Sequence, residues 1–224
     1  MLSYLQFQRR APGISVWRAV VWWGLCINLL RVSLFFCYGM RTKGRDNVPR
    51  TGPLLVVANH QSNFDPAIVG SALTDRPFLG IARESLFGSK FLSWFMRGFG
   101  VIALKRGESD VVAIRKAIIE LQAGRGIMMF PEGTRTQDGT MKDFQRGFWL
   151  LMKKSKATVL PVGLDGAYNV YPMGSKPTLK GKIAVAIGKP ISAELLLELG
   201  EEEGTAVVRA SIQELVDSCS RRIS

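Results

Sequence analysis

Short apolar runs alternate with helical patterns along most of this chain, and that alternation limits the folds it can adopt. Six runs are short, partly rich in β-branched residues and bounded by glycine or proline, as buried strands are. They are Leu54–Ala58, Phe78–Ala82, Val101–Leu104, Ile127–Phe130, Thr158–Gly163 and Ile183–Ile187. The polar connector from Arg41 to Pro53 has room for one short edge strand. The pattern predicts an α/β domain with a mixed, largely buried sheet flanked by helices.

Five segments between and after these strands are predicted to be helical, several of them with a clear apolar stripe. They are Pro66–Leu73, Ser89–Arg97, Asp110–Ala123, Arg146–Lys156 and Ala206–Cys219. In open α/β sheets, ligands bind beyond the carboxyl ends of the strands. One polar motif, around His60, directly follows a predicted strand, and a second, around Glu132, directly follows another. The two motifs are therefore expected to share one crevice.

The segment from Val16 to Met40 is mostly apolar and precedes the predicted sheet. As a helix, its part from Ala19 onward would be about 33 Å long, enough to cross a bilayer. Arg31 interrupts it, and an arginine near the centre of a span costs roughly 2.5–3.5 kcal/mol on insertion scales. Tryptophans and flanking arginines suit the headgroup zone. We therefore expect a membrane-embedded helix that does not fully cross, with Leu2–Gln8 as a short partner in a helical hairpin.

Other interpretations of the same segment are a full span, a removable signal peptide and a buried core helix. A signal peptide is disfavoured because the apolar stretch starts late and no small-residue cleavage site follows it. A core helix is disfavoured by the length and by the adjacent Trp22 and Trp23. The chain is accordingly predicted to divide into membrane-associated helices at residues 1–40 and an α/β domain at residues 41–224.

Charge and cysteine usage narrow the class of partner. The chain has 30 Lys and Arg against 18 Asp and Glu, a formal net charge of +12. A basic surface of this kind fits nucleic acid, anionic lipid or a phosphorylated substrate. The apolar N-terminal segment favours an anionic membrane surface, and no nucleic-acid-binding motif is present. Three scattered cysteines and a single histidine predict neither a disulfide framework nor a metal site.

The single histidine, His60, lies five residues before Asp65 in the run Asn-His-Gln-Ser-Asn-Phe-Asp-Pro. Residues five apart in a continuous helix point about 140° away from each other, so the pair needs a turn to meet. Asp65 followed by Pro66 suits a helix start, which would leave His60 in the loop above it. The carboxylate could then hold Nδ1–H and leave Nε2 free as a general base. The alternative is that Asp65 only caps the helix.

The second motif, Phe-Pro-Glu-Gly-Thr-Arg at residues 130–135, has the features of an anion-binding turn. Gly133 lets the backbone approach a ligand, Thr134 offers a hydroxyl and an N–H, and Arg135 can hold a phosphate with two parallel bonds. Glu132 could order the loop or contact a substrate hydroxyl. The alternative is a surface turn with a solvated Glu–Arg pair. No Walker loop or GxGxxG motif supports nucleotide binding.

A third basic segment, Gly100–Arg106, is a predicted strand that ends in Lys105 and Arg106. It would deliver positive charge to the same edge of the sheet as the other two motifs. The alternative is an ordinary solvated strand end.

These segments, with Leu160-Pro161-Val162 as a fourth block, resemble the membrane glycerolipid acyltransferases, most of all the bacterial lysophosphatidic acid acyltransferases. The resemblance covers about residues 41–189 and rests on four blocks in the family's order. Residues 60–65 are similar to its H-x4-D block, and residues 130–135 match its third block closely. In the second block, the family often has an aromatic residue and an acid before its arginine, and here those positions are Ala103, Leu104 and Lys105.

The resemblance implies a role for each block. His60 and Asp65 would be catalytic, and Arg106 with Glu132 to Arg135 would bind the substrate phosphate. Asn59, Lys105 and Pro161 would support the site, with Pro161 bordering the acyl pocket. The implied reaction transfers an acyl group from acyl-CoA or acyl carrier protein to the free hydroxyl of lysophosphatidic acid. It needs no metal, cofactor or covalent acyl-enzyme, and it implies a location on the cytoplasmic face of the cell membrane.

Three other functions compete with this one at the level of the sequence. Another lysolipid, such as lyso-ornithine lipid or lysophosphatidylglycerol, could be the acceptor, and so could glycerol-3-phosphate. A non-catalytic lipid-binding protein is disfavoured because binding alone has no need of the His60–Asp65 pair.

Overall fold

A seven-stranded sheet organises the part of the chain that the computed structural model describes, residues 12–73, 76–83, 90–104 and 110–223. Its strands are β1 (Arg41–Lys43), β2 (Leu54–Ala58), β3 (Phe78–Arg83), β4 (Ile102–Leu104), β5 (Gly126–Met129), β6 (Thr158–Asp165) and β7 (Ala184–Ile187). They lie in the order β1-β7-β6-β2-β5-β3-β4. Neighbours are parallel except β6 and β7, which are antiparallel. The predicted fold class, a mixed sheet within an α/β domain, is confirmed.

Helices cover both faces of this sheet. They are α1 (Val16–Tyr38), α2 (Asp65–Ala72), α3 (Lys90–Gly98), α4 (Asp110–Gln122), α5 (Arg146–Ser155), α6 (Ala167–Val170) and α7 (Ala193–Ile223). The stretch Ala19–Cys26 within α1 has π-helical hydrogen bonding. Arg45–Asn47 forms one 3₁₀ turn. Gly200 interrupts α7 with a backbone φ of 83°, which is open to glycine but strained for other residues.

The central strand β2 separates two apolar clusters. Leu54, Val56 and Ala58 face a cluster shared with α1 and α2, which we call the first layer. Leu55 and Val57 face a cluster shared with α4, α5 and α7, the second layer. All five side chains are buried, as expected of a parallel strand covered on both faces. The sheet therefore has its polar, ligand-accessible positions at the strand ends.

The predicted elements are present, with boundaries that differ by a few residues. β2 has the predicted limits, whereas β6 continues to Asp165. The largest departure is α7, predicted only from Ala206 onward but observed from Ala193. The polar run at residues 201–203 and the break at Gly200 interrupt the apolar pattern, so the first turns of α7 were not predicted. Leu196 in these turns is buried. The predicted helix Leu2–Gln8 lies outside the described residues.

Helix α1 carries apolar residues on both sides, but only its inner side is buried against the domain. Its inner side places Trp22, Trp23, Ile27, Leu34 and Tyr38 in the first-layer cluster. Most of the helix is nevertheless exposed: 22% of its most apolar 18-residue window is buried, and its length and composition would allow it to cross a membrane. The inner side of α1 therefore packs as a core helix does, which was one of the alternative interpretations of this segment. The division of the chain at residue 40 stays a prediction.

A buried arginine links the turns at the end of the sheet opposite to the two polar motifs. Arg76, 1% exposed, donates hydrogen bonds to the carbonyls of Pro49, Gly52 and Gly124. These carbonyls belong to the turns that lead into β2 and β5. Burial lowers the pKa of Arg76 to about 10, which leaves it charged at neutral pH.

Replacing Arg76 by methionine should lower the free energy of unfolding by about 3 kcal/mol, because several buried carbonyls lose their donor. Chemical denaturation in detergent measures the change. The control is Arg50→Met, which removes an exposed arginine nearby. Equal stability of the two variants would contradict a structural role for Arg76.

Candidate active site

Two loops from adjacent parallel strands meet at the carboxyl edge of the sheet. Val57 in β2 is paired with Met129 in β5, so His60 and Glu132 each lie three residues beyond one aligned pair. The backbone N–H of His60 donates to Glu132 Oε1 at 2.7 Å, and the Thr136 N–H donates to the His60 carbonyl at 2.8 Å. Both backbone polar groups of His60 are thus held by the loop that follows β5.

The imidazole of His60 and the carboxylate of Asp65 face each other. His60 Nδ1 lies 2.8 Å from Asp65 Oδ2. The same oxygen accepts the backbone N–H groups of Gln61 at 2.5 Å and Ser62 at 2.6 Å. A carboxylate that accepts these donors can only accept from Nδ1 as well. Nδ1 therefore carries the proton, and Nε2 presents its lone pair.

Asp65 is the first residue of α2, one position further into the helix than a cap residue. Its side chain bonds to the loop before the helix rather than to the helix's own N–H groups. The interpretation of Asp65 as only a helix cap does not describe these contacts. The turn between His60 and Asp65 bends back as predicted, and α2 begins with proline at its second position.

Burial separates the two members of the pair. The Asp65 side chain is fully buried, whereas 19% of the His60 side chain is exposed. Burial raises the pKa of the Asp65 carboxyl, while the imidazole and the two backbone N–H groups oppose that shift. Because Nδ1 faces the buried carboxylate, the accessible part of the ring is the side that bears Nε2. The arrangement can accept a proton from a hydroxyl that approaches from solvent.

Both carboxylate oxygens of Glu132 accept hydrogen bonds from the protein itself. Oε1 accepts from His60 N–H, and Oε2 accepts from Lys142 N–H at 2.9 Å. The residue is 2% exposed, and burial raises its pKa against the effect of these two hydrogen bonds. Of the two roles predicted for Glu132, this geometry favours ordering the loop over contacting a substrate.

The remainder of the Glu-Gly-Thr-Arg turn reaches the surface. Gly133 has a φ of 71°, and both it and Thr134 are exposed. The Arg135 guanidinium donates to the side-chain carbonyl of Asn63 in the His60 loop. That partner is a neutral amide, so the positive charge of Arg135 is not compensated at this contact. The Gly133 N–H donates to the Phe130 carbonyl at 3.1 Å, so the turn places a cation and the exposed Thr134 at the rim of the loop that carries the imidazole.

The supporting residues lie at different distances from this centre. Asn59 bridges the end of β2 to β6, since its amide donates to the Leu164 carbonyl and accepts the Leu164 N–H, both at 2.9 Å. Pro161 is buried in β6 opposite Val57, and its carbonyl accepts from Gly188 N–H. Lys105 and Arg106 lie outside the described residues. Strand β4, which leads to them, runs parallel to β3 toward the same edge.

Two contacts of the site were not predicted from the sequence. The Phe130 ring stacks on the His60 ring, with centroids 4.1 Å apart and an interplanar angle of 16°. Gln61 is buried, donates to Asp165 Oδ1 at 3.2 Å and accepts from Tyr168 N–H. The position of Phe130 directly before Pro-Glu-Gly offered a signal for the first contact. No local pattern indicated the second.

Comparison with known proteins assigns the class. The chain matches the Acyltransferase family over residues 39–165, a range that contains all four blocks, and it belongs to that family. The resemblance proposed from those blocks is confirmed.

Relatives within the family carry more specific names. The chain is 32% identical over 164 residues to the chloroplastic 1-acyl-sn-glycerol-3-phosphate acyltransferase LPAT1 of Arabidopsis thaliana, covering 71% of this chain and 46% of the relative. It is 22% identical over 198 residues to the 1-acyl-sn-glycerol-3-phosphate acyltransferase of Bacillus subtilis, covering 88% and 96%. The chain thus spans about half the length of the plant relative and nearly all of the Bacillus one.

A solved structure supports the fold. The 1-acyl-sn-glycerophosphate (LPA) acyltransferase PlsC from Thermotoga maritima superimposes with a TM-score of 0.75 at 24% sequence identity. The match covers 96% of this chain and 86% of that one. At this level of identity, the likeness establishes the arrangement of the elements.

The ring stack can be tested by NMR because the chain has one histidine. Phe130 lies face-on to the imidazole, so its ring current should shield the His60 ring protons. Phe130→Leu should therefore move these signals downfield. Phe144→Leu is the control, since Phe144 packs against Phe148. Unchanged His60 signals in the Phe130 variant would show that the rings are not stacked in solution.

Proposed function

We propose that this protein transfers a fatty acyl group from a thioester donor to the free hydroxyl of lysophosphatidic acid, which gives phosphatidic acid. The observation that carries the proposal is the 2.8 Å contact between His60 Nδ1 and the buried Asp65, with 19% of the His60 side chain exposed. Relatives in the same family are named for this reaction. The four blocks of the sequence support the same conclusion.

The proposed reaction is one direct transfer. His60 Nε2 takes the proton from the acceptor hydroxyl, and the oxygen attacks the thioester carbonyl carbon. The carbon–sulfur bond then breaks, and the imidazolium returns its proton to the departing thiolate. Asp65 keeps Nδ1 protonated and stabilises the positive ring. General-base assistance of this kind typically contributes about 10²–10⁴-fold.

In the proposal, the acceptor phosphate binds at the rim formed by Gly133, Thr134 and Arg135, with Arg106 as a further cation and Lys105 as support. A guanidinium and the exposed hydroxyl of Thr134 suit a phosphate dianion. Glu132 acts indirectly by fixing the His60 backbone. The donor is a thioester on a phosphopantetheine arm, carried either by coenzyme A or by an acyl carrier protein.

The proposed location is the cytoplasmic face of the membrane, with α1 as the anchor. The outer side of α1 presents large apolar side chains to solvent. They are Val16, Trp17, Val20, Leu25, Leu29, Val32, Phe35 and Phe36. An apolar helix face with tryptophan and arginine suits the boundary between headgroups and acyl chains.

Replacing His60 by alanine should lower turnover by about 10²–10⁴-fold, because the proton acceptor is removed. Asp65→Asn should lower it comparably, since the amide cannot enforce the same tautomer. The assay follows a labelled acyl thioester, and thermal unfolding with vesicle binding checks that both variants stay folded and membrane-bound. Wild-type turnover in folded His60→Ala would contradict the proposal.

Arg135→Ala should raise the acceptor KM by roughly 10- to 100-fold through loss of charged hydrogen bonds, with little change in the donor KM. The matched control is Arg146→Ala, an exposed arginine at the start of α5. Equal increases in both KM values would remove Arg135 as the phosphate-binding residue.

An acceptor panel tests the substrate itself. Lysophosphatidic acid, glycerol-3-phosphate, lysophosphatidylglycerol and lyso-ornithine lipid are compared with one labelled donor. We expect the highest kcat/KM for lysophosphatidic acid. A higher value for any other member would assign the acceptor differently while leaving the acyl transfer chemistry intact.

A further inference from the structure

The segment from Tyr171 to Lys182 joins α6 to β7 and has an unusual surface. Met173 is 42% exposed and Leu179 is 75% exposed. Exposed lysines alternate with them at positions 176, 180 and 182. Residues 166–193 contain four lysines and no aspartate or glutamate. Apolar tips among exposed lysines, in a stretch without acidic residues, are typical of contacts with an anionic lipid interface.

This segment begins beside the candidate active site. The Ser62 hydroxyl donates to the Tyr171 carbonyl at 2.7 Å, and the Tyr171 ring packs edge-on against Phe64 with centroids 4.9 Å apart. Ser62 and Phe64 belong to the loop between His60 and Asp65. A membrane bound by this segment would therefore lie close to the mouth of the site.

The segment also ends beside α1. Ile183 N–H donates to the Tyr38 carbonyl at 3.1 Å, at the last residue of α1. Val170 and Ile183, which bracket the segment, belong to the same first-layer cluster as Leu34 and Tyr38. Phe35 and Phe36 are exposed in the final turn of that helix. The segment is thus attached to the same layer of the protein as α1, and both carry exposed apolar side chains.

We infer that residues 171–182 form a second membrane contact, which binds the anionic bilayer interface beside the active site. Leu179 and Met173 enter the boundary of headgroups and acyl chains, and Lys176, Lys180 and Lys182 lie on lipid phosphates. The inference rests on the proposed function in that the acceptor comes from a bilayer. With α1 it gives two contact points, and these fix the rotation of the domain so that the mouth near His60 opens toward the lipid.

The test is the double variant Lys176→Gln, Lys180→Gln in the full chain. Each lysine at a charged membrane surface contributes about a factor of five in partitioning. The variant should therefore bind phosphatidylglycerol-containing vesicles about 10- to 30-fold more weakly at about 0.1 M salt, where the Debye length is about 10 Å. Binding to neutral phosphatidylcholine vesicles should be unchanged, since α1 is intact. Cosedimentation over a lipid titration measures both.

The matched control is Lys153→Gln, Lys154→Gln, which removes the same charge from exposed positions of α5 in the second layer. It should bind anionic vesicles within about twofold of the native protein, given that charges beyond a Debye length are screened. Equal losses in both double variants would reduce the effect to net charge and overturn the inference.

A second variant, Leu179→Asp, tests insertion of the apolar tip. Leu179 is exposed in the free protein, so thermal stability should be unchanged while vesicle binding weakens. Native-like vesicle binding by both this variant and the lysine double variant would overturn the inference.

Activity separates this inference from the proposed function. With a short-chain lysophosphatidic acid in monomeric solution, the lysine double variant should keep the native kcat/KM, whereas with acceptor in anionic vesicles it should lose activity in step with binding. Absence of turnover by the native protein on both the monomeric and the vesicle-bound acceptor would contradict the proposed function instead. A loss seen only with acyl carrier protein as donor, with vesicle binding intact, would assign the lysines to a carrier protein and overturn the membrane contact.

Discussion

The contact on which the site depends is the hydrogen bond from the His60 backbone N–H to the buried carboxylate of Glu132. Together with the bond from Thr136 N–H to the His60 carbonyl, it holds the main chain of the histidine from both sides. The side chain is then oriented separately, by Asp65 on one edge and by the Phe130 ring on one face. The general base that we propose for His60 would need this kind of support, because small displacements from the reacting geometry are costly. In the proposed mechanism, the glutamate of the second motif therefore acts by fixing the His60 backbone, since both of its oxygens accept backbone N–H groups.

The local parts of this arrangement could be predicted from the sequence, and the long-range parts could not. Both ends of strand β2 agree with the prediction, because a short, fully apolar run between proline and asparagine is typical of a buried strand. The approach of His60 to Asp65 followed from the helix start at Asp-Pro. Arg76 gave no such signal, and the resemblance that indicated Asn59 did not indicate its partner Leu164, since both residues bond to segments that the chain reaches only after folding. The strand order, in which β6 lies between β7 and β2, likewise cannot be predicted from local periodicity.

Helix α1 shows why composition alone left its role open. A core helix and a membrane-embedded helix both require apolar residues, and the sequence of α1 is apolar around much of its circumference. The structure gives its sides different neighbours: Trp22, Trp23 and Ile27 lie in the first-layer cluster, whereas Trp17 and Phe36 are exposed. Arg18 also ties it to α3 by donating to the carbonyls of Arg97 and Gly98. Its removal would therefore strip part of the domain's core as well as the proposed anchor.

The topology of the sheet has a consequence for how the protein matures. Glu132 reaches His60 across 72 positions of the chain, and Asn59 reaches Leu164 across 105. Such high contact order slows folding, because the entropy of closing long loops is lost before the contacts form. The imidazole acquires its supports only when three strands from distant parts of the chain have paired. Recovery of enzymatic competence during refolding should thus coincide with completion of the sheet rather than with early helix formation.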